Sequence, residues 1–131
     1  KHTLLDSREL PAFLRSVIPP DHLSLIEHTQ YSFETDALFF SHAGAEPCIP
    51  LHEQHGTDFV WGTDSFFLKQ QYSYGKTLVF GHWHLPEPFV ARGRIGLGAD
   101  MCVRVLITDY SPMAIVDSDG DYFEVREEWL I

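Results

Sequence analysis

Thr77-Leu78-Val79-Phe80-Gly81-His82-Trp83-His84 joins a short apolar run to a glycine and two histidines. Thr77 to Phe80 reads as a short buried strand, since three of its four residues are apolar. Gly81 then stops the strand. A glycine there lets the backbone turn sharply and removes side-chain bulk beside whatever the histidines face. If the chain stays extended, His82 and His84 point to the same side, because strand side chains alternate with period two. Imidazoles gathered at the carboxyl end of a buried strand suit metal ligation. A plain surface turn carrying two idle histidines is the competing reading of the stretch alone.

Forty residues earlier the pattern recurs. Ala37-Leu38-Phe39-Phe40 is a continuous apolar run, as expected of a strand covered on both faces, and it leads into Ser41-His42-Ala43-Gly44. Two buried strands thus deliver His42 and His82, which is the arrangement needed to bring two imidazoles onto one metal ion.

Around these strands the elements follow from periodicity and punctuation. Ser7 to Ile18 reads as a helix with Leu10, Phe13, Leu14 and Val17 at helical spacing, and Pro19-Pro20 ends it. A second helix is expected from His22 to His28, opened by Asp21, with Leu23, Ile26 and Leu25 inward. Tyr31 to Thr35 alternates like a half-buried strand, and Asp36 marks a turn. Glu46 to Asp58 reads as a loop with one helical turn near Leu51 to His55, followed by the short apolar Phe59-Val60-Trp61. Asp64 is a cap for a helical turn over Ser65 to Gln70, and Tyr72 to Lys76 a turn around Gly75. Pro86 and Pro88 argue against regular structure there. Arg94 to Leu97, Val103 to Thr108, Met113 to Val116 and Tyr122 to Val125 read as strands of an antiparallel meander, with Asp117 to Asp121 as a hairpin turn.

The fold expected is therefore α/β or α+β: a mixed sheet with two strands feeding histidines to one edge, then the meander. The 131 residues suit one domain, with residues 1–20 read as an appended helix. A 44% hydrophobic and 21% charged composition is that of a soluble globular protein, and no apolar run reaches the length of a bilayer span. A net charge of −10 argues against nucleic acid and anionic membranes as partners and favours cations. Cys48 and Cys102 make no disulfide framework, so a cytoplasmic setting is expected. No signal-type apolar run follows Lys1, and a start without Met suggests a processed or cut product.

A pair of histidines falls short of a catalytic metal site, which uses three or more protein ligands, with bridging carboxylates where two metals act together. Asp36, Glu46, Asp64 and Asp100 are the candidate acids, none at a ligand-like spacing from either histidine. His52 and His55 sit in a polar loop and read as solvent-exposed, as do His2, His22 and His28.

The run Phe39-Phe40-Ser41-His42-Ala43-Gly44, then Pro47, Pro50-Leu51-His52-Glu53-Gln54, Phe59-Val60-Trp61 and Leu78-Val79-Phe80-Gly81-His82, resembles the later motifs of the calcineurin-like metallophosphoesterases. The branch it looks most like is that of the bacterial phosphoprotein phosphatases and symmetrical diadenosine tetraphosphatases. Pro20 to Asp36 resembles the helix and strand before the His-Ala-Gly motif, and Arg94 to Gly98 with the closing hairpins resembles the last sheet.

The resemblance implies that His42 and His82 are metal ligands. It makes His84 a further ligand, in the Gly-His-x-His form of other branches. The cofactors it implies are two divalent ions (Mn, Fe or Zn), and the substrate a phosphoprotein or a nucleotide. The Gly-Asp-x-His, Gly-Asp-x-x-Asp-Arg and Gly-Asn-His-Glu motifs of the family are absent, and with them the bridging Asp and the general-acid His. The chain therefore looks like the later, C-terminal part of a catalytic domain, inactive alone, with the N-terminal half as its expected partner. Where the phosphatase branch carries Trp-x-Arg this chain has Trp61-Gly62-Thr63, which leaves Arg92 and Arg94 as candidate phosphate-binding residues. The alternative from a different class is a non-catalytic scaffold with a degenerate metal site, in which His42 and His82 face different pockets.

Overall fold

The computed structural model describes residues 8–62, 73–99, 104–109 and 112–130. The expected helical turn after Asp64, together with Asp100 and Cys102, lies outside them. The chain divides into two compact units, residues 1–30 and residues 31–131.

In the first unit, α1 (Leu10–Val17) has Pro11 in its first turn, where the missing N–H costs nothing. The second helix, α2 (Pro20–Glu27), also opens on a proline and carries Asp21 at its positive end. Arg15 Nη1 bonds Glu27 Oε1 at 2.8 Å across the two helices. Both partners are exposed, so the pair contributes at most about 1 kcal/mol. The helical spacing of Leu10, Phe13, Leu14 and Val17 holds, yet all four are exposed. In α2 only Leu23 is half-buried, and Leu25 and Ile26 lie open rather than inward.

The second unit is built on a five-stranded sheet in the order β1-β2-β3-β5-β4. Its strands are β1 (Ser32–Glu34), β2 (Leu38–Ser41), β3 (Thr77–Phe80), β4 (Phe89–Ala91) and β5 (Arg94–Gly96). The three central strands β2, β3 and β5 are parallel, and β1 and β4 flank them antiparallel. Between β2 and β3 lie a 3-10 turn (Leu51–Glu53) and α3 (Gly56–Trp61). A second sheet of three antiparallel strands follows: β6 (Arg104–Ile107), β7 (Met113–Asp117) and β8 (Tyr122–Val125).

The unbroken apolar runs of β2 and β3 are explained by burial on both faces of the sheet. Phe39, Leu78 and Phe80 point to one face and pack with Ala45 and Phe59 of the α3 crossover. Leu38, Val79 and Ile95 point to the other, against Ile115 and Val125 of the second sheet. Each fully buried side chain of this kind contributes roughly 1.5–3 kcal/mol.

Two expectations are corrected. Arg94 to Gly96 does not open the meander but pairs in parallel with β3, through Leu78↔Arg94 and Phe80↔Gly96. A short apolar strand reads alike in either sheet, because periodicity does not name a partner. Pro86 and Pro88 lie in no regular element, as expected, and the edge strand β4 begins directly after them. The loop expected up to Asp58 becomes helical from Gly56, where the Asp58 carboxylate accepts the backbone N–H of His55 at 2.8 Å and so caps α3.

Candidate functional site

The carboxyl ends of adjacent parallel strands are where open α/β sheets hold their ligands. Strands β2 and β3 run in register from Leu38↔Thr77 to Ser41↔Phe80, so the residues just past each strand arrive side by side. They are His42 and His82. Nδ1 of His82 lies 3.0 Å from Nε2 of His42, and the rings meet edge-on with centroids 4.9 Å apart. One nitrogen donates and the other accepts, with the tautomers deciding which.

The backbone around the pair is tied at several points. Gly81 N–H donates to the His42 carbonyl at 2.9 Å, and Ala43 N–H donates to Phe59 O of α3 at 2.7 Å. Trp83 N–H reaches back to Gly81 O at 2.6 Å, closing a three-residue turn with His82 at its centre and φ +58°. A γ-turn with positive φ is rare and costly for a residue with a Cβ, and such strain gathers at functional sites. This turn also corrects the extended reading of Gly81 to His84: the strand geometry that would align His82 with His84 ends at Gly81.

Trp83 spans the two histidine loops. Its indole N–H donates to Ala43 O at 2.9 Å, directly after His42. Its ring meets that of His82 perpendicularly, with centroids 5.3 Å apart. Gly62 leaves room for that indole, since a Cβ there would come within 2.8 Å of both Trp83 Cζ2 and Ala43 O; its own φ of +62° also favours glycine. Gly98, beyond β5, lies so close to the Trp83 backbone that a Cβ would collide with the Trp83 carbonyl. From the second sheet, Arg104 donates through Nη1 to Leu85 O at 3.0 Å and Gly98 O at 2.7 Å, and through Nη2 to Pro86 O at 2.7 Å.

The other residues singled out by sequence fall elsewhere. His84 is exposed, one residue past Trp83. Arg92 is exposed in the β4–β5 turn. Arg94 is buried at the amino end of β5, level with Leu78, with its guanidinium 5.6 Å from the centre of the Phe89 ring. Desolvation lowers its pKa from the usual arginine value, and the effect of Tyr74 opposes this. Both arginines therefore sit at the opposite end of the parallel strands from the histidine pair. Asp36 lies exposed in the β1–β2 turn, and the Glu46 backbone is held by Gln54. His52 is exposed beside Glu53.

A metal fit can be tested on the pair itself. Two imidazole nitrogens each about 2.1 Å from one ion, at an angle of about 90–109°, lie about 3.0–3.4 Å apart. The observed 3.0 Å falls in that range, with His82 half-buried and His42 exposed, so an ion can reach them. The spacing suits two adjacent ligands of one ion, once the hydrogen bond that aims one ring nitrogen at the other is given up. Among the described residues no group of three or more His, Cys, Asp and Glu is arranged to hold a metal. No helix among them is long and apolar enough to cross a membrane.

The sequence carries no signal for the roles of Gly62, Gly98 and Arg104, and it offers Trp83 either as a pocket wall or as a buried aromatic. A tryptophan directly following a Gly-His pair was the one available signal. No protein-family model, curated protein or solved structure matches this chain.

Proposed function

We propose that His42 and His82 are ligands of a divalent metal ion in a site for phosphoester hydrolysis, with a phosphoprotein or a nucleotide polyphosphate as substrate. The observation that carries this reading is the 3.0 Å approach of the two ring nitrogens at the ends of adjacent parallel strands. It supports metal ligation over a scaffold in which the two imidazoles face different pockets. The order of the His-Ala-Gly and Gly-His motifs supports phosphoester chemistry in particular.

In this reading both imidazoles ligate in the neutral form, through His42 Nε2 and His82 Nδ1, and the bond they share is given up on loading. The opposite ring nitrogen of each then carries the proton and takes an acceptor. When bound, divalent metal supplies an acidified water and stabilises charge on the phosphoryl oxygens. The chain's own part is to fix two ligands beside each other on a rigid sheet and to keep their approach open to solvent. The bridging carboxylate and the general-acid His are assigned to the Gly-Asp-x-His, Gly-Asp-x-x-Asp-Arg and Gly-Asn-His-Glu motifs of a further polypeptide segment.

The test is the encoding reading frame upstream of Lys1, together with Mn-dependent hydrolysis of p-nitrophenyl phosphate by its product. The expectation is a Gly-Asp-x-His motif upstream, activity that His42→Ala or His82→Ala abolishes, and only background hydrolysis by the 131-residue chain. A frame without that motif, or full activity in both variants, would overturn the reading.

A further inference from the structure

We infer that Trp83 is the positioning residue that sets the distance between His42 and His82. The inference rests on the metal-ligand reading for its purpose and on the structure alone for its geometry. The two histidines end different strands, and β-pairing fixes the strands only as far as Ser41↔Phe80. Beyond that point the loops need their own tie. Gly81 N–H to His42 O is one such bond, made by backbone and indifferent to side chain.

Trp83 supplies the tie that depends on a side chain. It follows His82 directly, and its indole donates at 2.9 Å to the carbonyl of Ala43, which follows His42 directly. A single rigid bicycle thus joins the residue after one histidine to the residue after the other. Its perpendicular contact with the His82 ring, at 5.3 Å between centroids, limits rotation of that imidazole. The indole is in turn confined by Gly62, where no Cβ would fit without moving it, and its backbone is confined by Gly98. The costly positive φ of His82 is maintained because the turn is held on both sides.

The experiment uses the whole chain with two replacements: Trp83→Phe, and 3-benzothienylalanine at position 83, which keeps the bicycle and loses only the N–H. Long-range proton–nitrogen NMR of the imidazole rings reads the His42–His82 hydrogen bond without any metal. Co2+ titration reads metal affinity, and thermal unfolding reads the fold. With unfolding near that of the wild type, the isostere is expected to lose the two-ring signature. Its Co2+ affinity should weaken by about fivefold, the equivalent of one hydrogen bond of about 1 kcal/mol. Trp83→Phe, which also loses ring contact, should weaken it further. Retention of the signature with Co2+ affinity within twofold in both proteins would overturn the inference. If the wild type shows the signature but binds no Co2+, and the variants lose the signature, Trp83 still positions the pair and the metal reading alone fails.

Discussion

Arg104 offers the sharpest test of how the second sheet supports the histidine loops. Its guanidinium holds three backbone carbonyls, those of Leu85, Pro86 and Gly98, at 2.7–3.0 Å. Two of these residues follow His84 within two positions, and the third abuts Trp83. Substitution to Met keeps the aliphatic stem and removes the fork. Hydrogen bonds from a charged donor contribute about 1.5–3 kcal/mol each when shielded. The bond to Pro86 is exposed and water replaces it readily, so the two part-buried bonds dominate. Against them stands the Nε of Arg104, which is buried with no hydrogen-bond partner among the described residues and whose loss relieves about 1–3 kcal/mol. The balance is a destabilisation of about 2 kcal/mol for Arg104→Met, within the usual range for breaking a partly buried polar network. For a unit of this size that is a fall in Tm of about 8–16 °C. Calorimetric unfolding measures it, and the Trp83 indole N–H signal reports whether the loop has moved. A Tm within 2 °C of the wild type and an unmoved indole signal would refute the reasoning.

Leu78→Ala removes a fully buried side chain from the middle of β3 and should cost about 2–5 kcal/mol in urea unfolding, whereas exposed Val105→Ala should stay within about 0.5 kcal/mol. Gly98→Ala drives a Cβ into the Trp83 carbonyl, so the backbone must shift. A loss of about 3 kcal/mol or more is expected, at the upper end of overpacking costs, with the imidazole signals of His82 displaced; a neutral effect would mean the contact is looser than described. Because imidazole ligates only when neutral, affinity for divalent metal should fall as pH is lowered; a pH-independent affinity would place the ion elsewhere.

Much of the sheet was legible because its central strands are buried on both faces. Leu38, Phe39, Leu78 and Phe80 leave a continuous apolar signal, and a histidine after each run marks where the strands end. What stayed hidden is what local pattern does not encode. Ile95 is buried whichever sheet receives it, so the parallel pairing of β5 with β3 could not be chosen in advance. The turn at His82 depends on Trp83 N–H finding Gly81 O, against the extended preference of the preceding strand. The roles of Gly62, Gly98 and Arg104 rest on contacts distant in sequence, Gly62 and Gly98 meeting Trp83 and Arg104 reaching Leu85 across 19 positions, which no local pattern announces. The exposure of Leu25 and Ile26 shows the reverse limit, since an apolar spacing marks a helix face without supplying what covers it.

The central claim is that His42 and His82 hold a divalent ion between them. Mn2+ titration of the labelled chain, followed by paramagnetic broadening of the imidazole signals, tests it directly. Both rings are predicted to broaden together from the first additions, and His42→Ala is predicted to abolish the effect at His82. Broadening confined to the acidic Asp117 to Asp121 turn, with both rings left sharp, would contradict it.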